Sequence, residues 1–300
     1  MENVQTSTNI NFTPRITPKS KSLWQHAWTQ LKKDKLAMLA LTVVTLYSLI
    51  AILSALGVIA TGFDKEVGAS YMAPNLEHIL GTDIFGRSVW DKMIKSTEVA
   101  MSVGLVTAVI SIFIGVLLGS IAGYFGGLLD ELIVWFYTTV SSIPGIMLLV
   151  AITFIMGKGL FAMYLALGLT SWVSLCRLIR GEVMRHKDRE YVQAASSVGC
   201  GDFRKLFVHI LPNVLHIVII NFSLQFQVAI KSEVILSYLG LGVQGRPSWG
   251  TMIDDSKLEL ARGVWWQLFA ASIAMFIVVL AFSILGDALR DALDPKLKGK

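Results

Sequence analysis

Residues 99–124 read VAMSVGLVTAVISIFIGVLLGSIAGY, an unbroken run without a charged side chain. As an α-helix rising about 1.5 Å per residue, such a run crosses the roughly 30 Å of hydrocarbon in a bilayer. Within it Gly115, Gly119 and Gly123 recur at intervals of four and share one helix face. That small-residue stripe predicts a surface on which another helix backbone packs closely.

Five further apolar blocks flank this one, at about Leu36–Ala60, Leu132–Met156, Leu160–Leu178, Leu215–Leu236 and Trp265–Gly286. A β-barrel would need shorter segments of alternating polarity, so the blocks read as helices. Composition agrees: 54% of residues are hydrophobic and 16% charged, which excludes an ordinary water-soluble domain. Pro144 predicts a kink in the third span and Pro212 the start of the fifth.

Lysine and arginine concentrate in alternate connecting segments, and basic connections face the cytoplasm. The amino-terminal segment, the piece from Leu178 to Asn213 and the tail hold about twice the basic residues of the opposite set. The expectation is an all-α membrane protein of six transmembrane helices with both termini cytoplasmic. Its parts are a cytoplasmic segment 1–35, a first span 36–60, a periplasmic segment 61–98, a core 99–286 containing the loop 178–213, and a cytoplasmic tail 287–300. Trp249, Trp265 and Trp266 then fall near the outer boundary, where aromatic rings anchor. The polar first twenty residues lack the apolar core of a cleaved signal. The net charge of +5 is accounted for by orientation, so no nucleic-acid partner is expected.

Catalytic chemistry finds no support. No G-x-x-x-x-G-K-[ST] phosphate loop is present. The five histidines show no metal-ligand spacing with one another or with Cys176 and Cys200, so no metal site is expected, and both thiols are read as free. Gly240, Gly242 and Gly245 match the dinucleotide fingerprint in spacing, but they follow an apolar span rather than a strand and read as a turn.

Two places carry polar residues that a membrane protein must account for. In the loop 178–213, Tyr191, Val192, Ala195 and Val198 recur near helical spacing, ahead of Gly199 and Gly201, which predicts a short amphipathic helix. Such a helix either docks on a partner or lies on lipid headgroups. The fifth span carries Gln225, Gln227, Lys231 and Glu233. Lys231 and Glu233, two apart, diverge around the helix and do not pair directly. Either they line a polar path, with Gln227, or they sit at the outer helix end where the lysine snorkels.

Several segments together resemble the permease subunits of bacterial dipeptide and oligopeptide ABC importers, over nearly the whole chain after residue 23. Glu190-Tyr-Val-Gln-Ala-Ala-Ser-Ser-Val-Gly199, followed by His209-Ile-Leu-Pro-Asn213, resembles the EAA loop of that family. Ala194, Ala195, Gly199, Leu211 and Pro212 fit its register, while Gln193 stands where the family has glutamate. Residues 78–87, 118–127, 233–244 and 286–295 resemble the peptide-permease branch more narrowly. Ser88, Asp91, Lys92 and the run Lys95–Glu98 depart from it, as does Lys231. These departures bear on the cargo, since nickel chelates and other small solutes use close relatives.

The resemblance implies that the helix containing Glu190, Tyr191, Gln193, Ala194 and Ala195 couples this chain to a separate ATPase subunit. It implies residence in the bacterial inner membrane and pairing with a second, homologous permease. Two ATPase subunits would bind ATP and Mg²⁺, so this chain would hold no cofactor itself, and a periplasmic or lipid-anchored solute-binding protein would deliver the cargo. A lone ion-coupled carrier would need ionisable clusters in several spans, and a membrane-anchored enzyme would need a catalytic constellation.

Overall fold

The computed structural model describes residues 23–293, so the ends of the 1–35 segment and of the 287–300 tail, including the polar first twenty residues, lie outside it. Twelve α-helices follow in order among the described residues: α1 Leu23–Lys33, α2 Lys35–Ala55, α3 Val89–Phe125, α4 Gly127–Ser142, α5 Gly145–Met156, α6 Leu160–Ser171, α7 Val173–Lys187, α8 Glu190–Ser197, α9 Asp202–Arg204, α10 Leu211–Leu236, α11 Trp249–Leu260 and α12 Trp266–Leu293. Five helices are long and apolar enough to span a membrane, and six spans result if the bent pair α4–α5 counts as one. The described residues contain no strand, only isolated bridges Glu66–Arg87 and Thr82–Ser88 between α2 and α3.

Local chemistry sets the helix ends. Asp34 Oδ1 accepts the amides of Leu36 at 2.9 Å and Ala37 at 3.2 Å, capping α2. Ser88 caps α3 through the Asp91 amide, so the helix begins ten positions before the apolar run and extends beyond the hydrocarbon. Pro144 does more than kink its span: α4 and α5 meet at 91°, with Ile143 before the proline extended at φ −87° and ψ 130°. The fifth span starts earlier than expected. A continuous helical run covers Asp202–Leu241, with Pro212 inside it, immediately after a π-helical stretch Lys205–Ile210. The widened turn accommodates a residue that lacks an amide donor and crowds the carbonyl four positions back.

Central α3 packs against α2, α6, α7 and α10. The glycine stripe of α3 faces the α6–α7 span. A β-carbon built on Gly115 would lie 3.0 Å from the Trp172 carbonyl oxygen, on Gly119 2.6 Å from that of Cys176, and on Gly123 2.6 Å from that of Arg180. Three turns of α3 therefore lie against the backbone of the α6–α7 span. By contrast α2 buries only Ala37, Ala40, Ala51 and Ser54 and exposes Leu39, Leu46, Leu49 and Ile52, a pattern suited to lipid as solvent.

Two of the three tryptophans expected as interface anchors are core residues instead. Trp249 is fully buried and donates Nε1–H to the Met93 carbonyl at 3.3 Å, and Trp266 donates to the Thr82 carbonyl at 2.9 Å. Only Trp265 is exposed. Beside Trp266, Lys92 Nζ donates to Asp83 Oδ2 and Gln267 Oε1, both at 3.0 Å, joining α3, the 61–88 segment and α12. A Lys92→Met chain should lose about 3–5 kcal/mol, because Asp83, 1% exposed, keeps a buried charge without its cation. Thermal unfolding in detergent reads this, and an unchanged midpoint would refute it.

Candidate coupling site

Between α7 and the long Asp202–Leu241 run, α8 projects from one end of the bundle. Of its eight residues only Val192 is buried. That side chain enters a cluster formed by Tyr124, Leu175, Ile179, Val183, Leu206, Ile210 and Val214. Glu190, Tyr191, Gln193 and Ala194 are exposed, and Ala195 is half-buried. The helix is thus pinned by one valine and leaves most of its surface unfilled.

Polar contacts hold both ends. His186 Nδ1 lies 2.8 Å from the Tyr191 hydroxyl, joining the last turn of α7 to α8. Partial burial pushes the Tyr191 phenol above its ordinary range, against the opposing effects of Asn213 and Arg189. Gln193 Nε2 donates to the Asp188 carbonyl at 3.2 Å, a bond that an ionised glutamate could not donate. At the exit Gly199 has φ +79°, a left-handed conformation that costs other L-residues strain. Beyond it Lys205 pairs with Asp202 at 2.8 Å and donates to Ser196 Oγ at 3.2 Å, and the Tyr124 hydroxyl donates to Asp202 at 2.8 Å. These contacts connect α8 to α3, α7 and α10 together, so a displacement of α8 reaches three helices. Leu211 and Pro212 lie at the start of α10, one half-buried and one exposed.

Tyr124, His186, Asp202 and Lys205 were not singled out from the sequence. Tyr124 and Asp202 are 78 positions apart, and the stretch 118–127 that contains Tyr124 gives no sign of its partner.

The fifth-span candidates separate. Glu233 is fully buried: Oε1 accepts from Ser237 Oγ at 2.7 Å, and Ser237 lies 3.5 Å from Ser248 Oγ. Path lining and a place at the outer helix end were the two expectations for Glu233; in the structure α11 covers it. A β-carbon on Gly250 would lie 2.5 Å from that of Ser237, so the glycine admits this close contact. Gln227 is 8% exposed and its Nε2 lacks a partner. Lys231 is exposed and does not pair with Glu233. Gly240, with φ +76°, forms the turn after α10, with a helix rather than a strand before it.

Comparison with known proteins meets this geometry. Residues 115–299 match the family described as binding-protein-dependent transport system inner membrane component. Residues 22–74 match the N-terminal TM domain of oligopeptide transport permease C. The dipeptide transport system permease protein DppC of Bacillus subtilis is 34% identical over 93% of this chain and 88% of its own length. The oligopeptide transport system permease protein OppC of the same organism is 34% identical over 97% and 95%. The glutathione transport system permease protein GsiD of Pectobacterium atrosepticum is 33% identical over 95% of each. With apolar helices suited to a bilayer, an exposed α8 and a family match over more than half its length, the chain belongs to the binding-protein-dependent transport system inner membrane components, as a multi-pass permease subunit of an ABC importer.

Proposed function

We propose that this chain forms half of an inward path for short peptides, paired with a second, homologous permease in the bacterial inner membrane. Both termini and α8 face the cytoplasm in this reading, where α8 docks on one of two separate ATPase subunits. Those subunits bind ATP and Mg²⁺, and a solute-binding protein delivers cargo at the opposite face. The observation that carries the reading is the exposure of α8 on a single anchoring valine, linked to α3, α7 and α10. Closure of the ATPase pair then moves α8 as a rigid lever and tilts the spans on either side. Names of the relatives point to peptide cargo. Of the three fifth-span candidates, Lys231 is the exposed one and remains the candidate for contact with cargo or the second permease.

Purification in mild detergent should bring ATPase polypeptides with the chain, and Ala194→Arg should release them while the permease stays folded. A chain that purifies alone, or an Ala194→Arg chain that keeps its ATPase, would sink the docking assignment. Mass spectrometry of material retained by the associated binding protein tests the cargo, with peptides the expected content.

A further inference from the structure

At the end opposite α8, the 61–88 segment and α11 enclose a cavity of about 570 Å³, lined by Tyr71, Asp83, Arg87, Lys92, Asp255 and Glu259 among others. That volume falls within the range of small-ligand sites, roughly 300–1,000 Å³.

Most charges around it are already satisfied. Lys92 is held by Asp83 and Gln267 and lies 3.7 Å from Asp255. Asp254 and Lys257 pair with each other on α11. The Arg87 guanidinium lies over the Phe85 ring at 4.7 Å. Two groups are exceptions: the buried Nε of Arg87, which meets no hydrogen-bond partner, and Glu259. Glu259 is 2% exposed, and neither carboxylate oxygen meets a hydrogen-bond partner, although the Ile84 backbone amide lies close enough to draw on its charge.

A buried carboxylate without a partner is costly. Burial pushes Glu259 up to about 7; Lys92 opposes the rise, while Asp255 and Asp83 add to it. Asp83, Asp255 and Glu259 thus still outnumber the cations Lys92 and Arg87. No group of His, Cys, Asp and Glu among the described residues is arranged to hold a metal ion. An organic cation with N–H donors would meet both the excess negative charge and the unpartnered Glu259 oxygens.

We propose that this cavity binds a small solute through a primary ammonium group, with Glu259 as the principal acceptor and Asp255 as the second carboxylate. An ammonium supplies three N–H donors, enough for both carboxylates at once. The inference deepens the peptide reading, because a short peptide carries this group at its amino terminus, but the site itself is defined by its own residues.

The test is calorimetric titration of the full-length chain, purified with the subunits that stay bound, using n-butylammonium, alanyl-alanine and N-acetyl-alanyl-alanine. The first two should bind and the acetylated peptide should bind at least about tenfold more weakly. The affinity for n-butylammonium, charged throughout, should rise roughly tenfold from pH 6 to pH 8 as Glu259 ionises. Glu259→Gln keeps the volume and removes the charge, so both the binding and its pH dependence should be lost.

Folding of that variant is read separately. Because the Glu259 pKa is raised on folding, the native chain loses stability as pH climbs from the ordinary glutamate range through about 7. Glu259→Gln should escape this loss and melt no lower than the parent at pH 8. Equal binding of the acetylated peptide, an unchanged affinity in Glu259→Gln, or no binding of n-butylammonium at pH 8 would overturn the proposal. Binding of the amine without alanyl-alanine would support the ammonium site and remove its link to peptide cargo. Failure of the ATPases to co-purify would leave the amine result standing.

Discussion

A Gly119→Val chain should fail to accumulate as a folded, monodisperse protein in detergent. Its β-carbon would sit 2.6 Å from the Cys176 carbonyl oxygen and 3.1 Å from the Ile179 β-carbon. Overpacking an ordinary core costs roughly 1–3 kcal/mol because side chains shift to make room. Here the obstacle is helix backbone, which moves only if α7 moves as a whole. Gly115 and Gly123 press on the same span one turn to either side, so no tilt relieves one contact without worsening another. The expected loss is therefore at the top of that range or beyond it. Gly181 is the control, because a β-carbon there meets nothing within 4 Å. Gly181→Ala should melt at or slightly above the parent, gaining up to about 1 kcal/mol of helix propensity. Normal yield and melting of Gly119→Val would refute the close approach of α3 and α7.

The second large effect concerns coupling. Gly199→Trp should leave the permease folded but reduce transport relative to ATP hydrolysis by roughly 5- to 150-fold, the usual span of an intersite coupling energy. Among the described residues nothing beyond its chain neighbours comes within 4 Å of a β-carbon built at Gly199, which lies on the exposed surface. The indole occupies the surface beside α8 that the ATPase is proposed to cover. The φ of +79° adds about 1–2 kcal/mol of strain for any residue with a β-carbon. Gly199→Ala separates the two effects, since it carries the strain without the bulk and should keep most of the coupling. ATPase activity and uptake, measured together in proteoliposomes, give the ratio. If Gly199→Trp transports normally, α8 is not the mechanical link.

How far each feature could be foreseen depends on the range of the interactions that create it. The spans were legible because a bilayer imposes its thickness on any helix that crosses it, whatever its neighbours are. The glycine stripe was legible because a four-residue interval is a local property of one helix. Likewise the helix 190–197 and its glycine exit follow from spacing within ten residues. Glu233 illustrates where local reading stops. A glutamate near the end of an apolar span can face a path, a headgroup or a core, and the choice falls to α11, which the outer segment was not expected to contain.

The sequence alone determined that this chain lives in a bilayer, where its spans run and where a short helix interrupts the polar loop 178–213, because solvent partition and helical period act residue by residue. Tertiary structure alone decided which charges are enclosed. Lys92 meets Gln267 across 175 positions, Glu233 disappears beneath α11, and Glu259 is buried beside the 61–88 segment without a partner. Burial of a charge depends on what covers it, and the covering groups come from distant parts of the chain that only folding brings together.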